Sequence, residues 1–199
     1  MRNYLFVILL LLICCKTSEE QKEIIPKDET LDLKYEVLNQ LIKNDSMTAD
    51  ANRFIYTTKL FPARINKDIN EPKPLGVDLQ YDSIFLENDS AYYKNQEKID
   101  LSFRLNKSKI RSKSKCIEGQ ELQKMHENKI SDFWTEFYKK YENKCIKSYS
   151  VPFFNKDKTM CVVQNSTSCG ILDAAGYTAL YKKINGEWKE IKSFDHWVS

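Results

Sequence analysis

The side chains that most often do chemistry are few in this chain and lie far apart. Of its 199 residues, two are histidine, His126 and His196. His196 follows Asp195. Neighbours on an extended strand point to opposite faces, so adjacency alone builds no Asp–His pair. A Ser-His-Asp or Cys-His site would need its partners delivered by the fold. No G-x-S-x-G elbow, phosphate-cradling glycine loop or H-E-x-x-H helix occurs. Gly170 and Gly176 bracket a loop-like stretch without the strand–glycine–helix setting of a dinucleotide site. There is no C-x-x-C, and neither histidine stands at ligand spacing from a cysteine. The residues therefore assign no catalytic group, no metal site and no cofactor.

The most specific chemistry lies at the start, MRNYLFVILLLLICCKTSEEQKE. Arg2 precedes an unbroken apolar run from Tyr4 to Ile13. A membrane-spanning helix needs roughly 20 apolar residues, and a run of about ten behind a basic start reads as a secretory signal. The run ends Leu12-Ile13-Cys14-Cys15, which resembles the bacterial lipobox. That resemblance implies cleavage after residue 14 and acylation of Cys15. Residues 1–14 are then a lipoprotein signal peptide and 15–27 an acidic tether. Its free part could reach about 40 Å at roughly 3.3 Å per residue. Lys16-Thr17-Ser18-Glu19-Glu20 resembles the signal that sends lipoproteins of Bacteroidetes to the cell surface, and reads equally as a solvated linker. Residues 28–199 make one domain.

Four further cysteines, Cys116, Cys145, Cys161 and Cys169, follow in the exported part. An even count in an oxidising space points to disulfides. Three pairings are open, and spacing does not choose among them. Cys161 falls in an apolar strand pattern and fits a buried thiol too. Residues 104–115 read RLNKSKIRSKSK. If extended, Lys107, Lys109, Arg111, Lys113 and Lys115 share one face. Such a ridge would meet an anionic envelope component: lipopolysaccharide phosphate, acidic polysaccharide or anionic lipid. The competing reading is an edge strand that lysines keep from self-pairing. The segment lacks interleaved aromatics, and the whole-chain charge is only +3, so nucleic acid is not an expected partner.

These groups need elements to position them. Leu31, Tyr35, Leu38 and Ile42 share a helical face over residues 30–42, with Asp28 or Thr30 as cap. Pro62, Pro72, Pro74 and Gly76 mark residues 61–80 as a loop. A helix is expected from Ser90 to about Lys98, and a strand at Leu101–Leu105. Residues 118–142 read as mainly helical. There Phe133, Phe137 and Tyr141 recur every four residues, a core stripe more readily than a stacking platform. Strands follow at 149–154, 159–163, 177–184 and 188–191. Asn185-Gly186 suits a two-residue hairpin turn, which needs φ > 0 at both positions.

The C-terminal third carries Ser150-Val151-Pro152-Phe153-Phe154-Asn155, the stretch from Cys169-Gly170 to Gly176, Asn185-Gly186-Glu187-Trp188-Lys189 and Trp197-Val198-Ser199. In these it resembles a group of uncharacterised secreted lipoproteins of Bacteroidetes. The resemblance covers about 50 residues and implies an address but no activity. The expectation is an α+β fold, N-terminal helices packed on a C-terminal antiparallel β-meander. The expected function is that of a membrane-anchored envelope lipoprotein of the outer membrane, on its periplasmic or surface side. It would be a non-enzymatic binding or structural module meeting an anionic component or another protein. The alternatives are a secreted hydrolase-type enzyme with dispersed residues around 61–80, and an envelope inhibitor or immunity protein.

Overall fold

In the computed structural model, which describes residues 27–48, 52–65 and 76–199, the spacing of Leu31, Tyr35, Leu38 and Ile42 becomes helix α1 (Leu31–Ser46). One stripe of α1, including Tyr35, Val37, Leu38, Leu41 and Ile42, is buried. Asp28 does not cap the helix directly. It accepts hydrogen bonds from the backbone N–H and hydroxyl of Thr30. The signal peptide, Cys15 and the tether to residue 26 lie outside the described residues. No helix among the described residues is long and apolar enough to cross a membrane.

The chain is a mixed α+β protein built on one seven-stranded sheet. Strands β1 (Phe54–Thr57), β4 (Cys116–Ile117) and β5 (Cys145–Tyr149) run parallel, with β1 in the middle. From β5 the sheet continues antiparallel through β7 (Met160–Gly170), β8 (Asp173–Ile184) and β9 (Glu187–Val198). A short β6 (Phe153–Phe154) pairs with the first half of β7, where β5 has ended. Pro152 stands in the break, where its missing N–H does no harm. Asn185 and Gly186 adopt φ of 52° and 83°, the backbone their hairpin turn requires.

Several elements differ from expectation. Residues 61–80 are not wholly loop: β2 (Ala63–Ile65) pairs in parallel with β3 (Val77–Leu79). Three residues per strand are too few for alternation to stand out beside proline and glycine. Pro72 and Pro74 lie outside the described residues. Helix α2 (Ser90–Ser102) runs through Leu101, so Leu101–Leu105 is no strand. Phe103 and Leu105 still point inward, and the Leu105 N–H donates to the Thr58 carbonyl at 3.1 Å. Residues 118–142 divide into α3 (Gly119–His126) and α4 (Phe133–Tyr141). The stretch from Cys169 to Gly176 is no open loop either. β7 and β8 run to a two-residue turn at Ile171-Leu172.

Alternation along the strands divides the apolar side chains between two faces. On one face Tyr56, Tyr149, Cys161, Val163, Ala179, Tyr181 and Trp188 pack against α1. On the other, Phe153, Val162 and Leu180 meet Tyr93 of α2 with Ala63 and Val77. There too, Ile55 and Ile117 meet Phe137, so the aromatic stripe of α4 is core. Two glutamines dock helices to the sheet. Gln40 of α1 bonds both backbone groups of Trp188, and Gln96 of α2 bonds both of Phe154.

Candidate functional site

Between the C-terminal half of α1 and the sheet lies an open cleft of about 970 Å³. Its floor follows from strand parity. Lys147 and Tyr149 are two apart on β5 and face the same way as Asn165 of β7 and Tyr177 and Tyr181 of β8. Glu36, Gln40 and Asp45 of α1 form the wall, and Arg111 and the β8–β9 turn reach the rim.

Asp45 sits in the last turn of α1, where the helix dipole disfavours a carboxylate. Two tyrosine hydroxyls compensate. Tyr149 donates to its Oδ2 at 2.5 Å and Tyr56 at 3.1 Å. The two rings stack with centroids 6.3 Å apart. Burial, then the Asp45 charge, raises the pKa of both phenols, so they stay protonated donors. Glu36 is similarly engaged: Lys183 pairs with it at 2.7 Å, and the Trp188 indole N–H donates at 3.1 Å.

Lys147 is the exception. Its residue is 9% exposed, yet its hydrogen-bond partners among the described residues are neutral: Thr167 Oγ1 at 3.1 Å and Asn165 Oδ1 at 3.5 Å. The rings of Phe54 and Tyr149 lie 5.5 and 5.6 Å from its Nζ. Burial depresses the amine's pKa, and the Asp45 charge opposes that only in part.

The residues singled out from sequence are dispersed. Cys145 and Cys169 form a disulfide that ties the start of β5 to the end of β7. Cys161 is a buried free thiol, and Cys116 is a half-buried one. Burial raises both pKa values. Neither is an activated nucleophile. The basic run is not one strand. Lys107–Lys109 form a 3-10 turn, which takes Lys107 to Glu118 at 2.6 Å and Lys109 over the Tyr35 ring at 5.0 Å. Asn106 drives the turn by accepting from the Ser108 N–H. Alternation survives over Arg111, Lys113 and Lys115, all exposed, and of these Arg111 lines the cleft. The five cations thus share no single ridge.

His126 stacks on Phe133 and His196 on Tyr177. Both are exposed and neither lines the cleft. Among the described residues, no group of three His, Cys, Asp or Glu side chains could hold a metal ion. Sequence reasoning missed Lys147, Asp45 and Tyr149. One signal was present: Lys147 has the strand parity of Cys145 and Tyr149, a charge at an inward position. No protein family, no curated protein and no solved structure matches the chain.

Proposed function

We propose that the protein is a lipid-anchored lipoprotein of the bacterial outer membrane whose domain binds a small polar ligand in the cleft between α1 and the sheet. The observation that carries the binding reading is the state of the cleft's side chains. Asp45 is held by two tyrosines and Glu36 by Lys183 and Trp188, so the walls are fixed before any ligand arrives. Preorganised polar groups around a concave floor are what small-ligand recognition needs. In this reading the N-terminal helix, packed on the C-terminal meander, exists to make a wall. The anchoring reading rests on Tyr4–Ile13 and the Leu12-Ile13-Cys14-Cys15 ending. Several acyl chains hold where one would not, at about 0.8 kcal/mol per buried CH₂. Membership of the Bacteroidetes lipoprotein group rests on the C-terminal motifs and is part of the same proposal.

Two measurements test the halves separately. Metabolic labelling with an alkyne fatty acid in a bacterial host is expected to mark the wild type and not Cys15→Ala; equal labelling ends the anchor. For the cleft, small molecules co-purifying from envelope are compared with those held by Asn44→Trp, which fills the cleft from its wall. Loss of a retained compound in the variant supports the cleft. Identical profiles count against it.

A further inference from the structure

We propose that Lys147 is an anion-recognition point, so that the ligand presents a carboxylate or phosphate oxygen to its Nζ. This rests on the reading of the cleft as a ligand site and names the chemistry of its occupant.

Two buried lysines of the chain differ in how their charge is met. Lys34 has no exposed surface and is matched by two carboxylates, Asp28 at 2.8 Å and Asp100 at 2.5 Å. Lys147 is nearly as buried but meets only the oxygens of Thr167 and Asn165. A buried cation is expensive unless paired, and two ring faces at 5.5 and 5.6 Å return only part of that cost. An ammonium also has three donors, of which Thr167 and Asn165 engage at most two. The carboxylate that could neutralise it, Asp45, has its Oδ2 occupied by Tyr56 and Tyr149.

The charges around the cleft are mixed. Of its acids, Glu36 pairs with Lys183 and Asp45 accepts from two tyrosine hydroxyls. Glu187 and Glu190 are exposed beside the turn and on β9. Lys43, Arg111 and Lys189 are exposed at the mouth, and none has a carboxylate within ion-pairing distance among the described residues. Acids and bases are thus equally represented in the lining, and Lys147 stands apart as the buried cation with no carboxylate within ion-pairing distance among the described residues. Thr167 and Asn165 fix the amine, while the Tyr149 ring would flank whatever carries the anion.

The test uses the full-length protein in detergent, with the lysine Nζ and backbone amides followed by NMR. The carboxylate probes are acetate and glucuronate, the phosphate probe is inorganic phosphate, and the neutral control is glucose. The anions are expected to shift Lys147 Nζ and the amides of Thr167 and Asn165. Lys147→Met is expected to weaken their binding at least tenfold while remaining folded, since methionine fills the same volume without a charge. Thr167→Val, which leaves the amine but removes a contact that fixes it, is expected to weaken binding less. A stronger response to glucuronate and acetate assigns a carboxylate ligand, and to phosphate a phosphorylated one. Unchanged anion affinity in Lys147→Met overturns the proposal. So does binding of glucose at the cleft without any anion response at Lys147, which leaves the cleft reading standing. If no probe perturbs any cleft residue, both the anion site and the cleft reading fall.

Discussion

The Nζ of Lys34 donates to Oδ1 of Asp100 at 2.5 Å, joining α1 to α2 with no solvent on either side chain. Asp28 takes a second bond from the same ammonium at 2.8 Å. One cation therefore serves two carboxylates, and the Asp100 Oδ2 has no hydrogen-bond partner among the described residues. Burial raises the Asp100 pKa to about 7, despite the attraction of Lys34.

That shift fixes the sign of a pH effect. Between an ordinary carboxyl pKa and about 7 the folded protein holds a proton on Asp100 that the unfolded chain has released. The contribution is complete below the unfolded pKa and is lost as pH rises through about 7. Wild type should therefore lose stability relative to Asp100→Asn from pH 4.5 to 7, by up to about 1.4 kcal/mol per pH unit. Asp28 is shifted downward: burial raises it, but its bonds to Lys34 and Thr30 and the Lys34 charge together outweigh that, so it acts below this window. Glu97, also raised by burial, cancels in the comparison to first order. Urea denaturation of both proteins across the range measures the difference, and parallel pH profiles would show that Asp100 does not titrate there.

Gln96 carries a different load. Its amide donates to the Phe154 carbonyl and accepts from the Phe154 N–H, both at 3.0 Å and both buried. Gln96→Met keeps the side-chain volume but leaves two strand groups without partners. A cost of about 3 kcal/mol is expected, since each buried orphan costs roughly 1–3 kcal/mol. Hydrogen exchange adds a local readout: the Phe154 amide should lose protection before the β7–β8 pairing does.

The Cys145–Cys169 disulfide closes a loop with a sequence separation of 24. Chain-entropy arguments give a link of that length about 3 kcal/mol of stabilisation. The double variant Cys145→Ser/Cys169→Ser should melt on the order of 10 °C lower. Its far-ultraviolet circular dichroism should not change, because Ile146–Tyr149 remain paired with Asn165–Ser168. A melting temperature equal to that of the oxidised wild type would remove the disulfide from the stability argument.

What the sequence by itself determined is local. Helix α1, the aromatic core stripe of α4 and the Asn185-Gly186 hairpin were legible because each rests on spacing or backbone conformation within a few residues. The proposed leader and lipid site at Cys15 rest on the same kind of local spacing. The tertiary structure alone decided the rest. It chose Cys145–Cys169 among three pairings, turned Lys107–Lys109 out of the basic ridge, and brought β1 and β4 into the sheet as short parallel strands. It also set Lys147 from β5 beside Asn165 and Thr167 from β7 and below Asp45 from α1. Such contacts depend on which strands become neighbours, and that is settled by burying both faces of the sheet at once. No window along the chain contains that information. A lysine at an inward strand position marks a residue as unusual, but only its neighbours reveal whether its charge is answered.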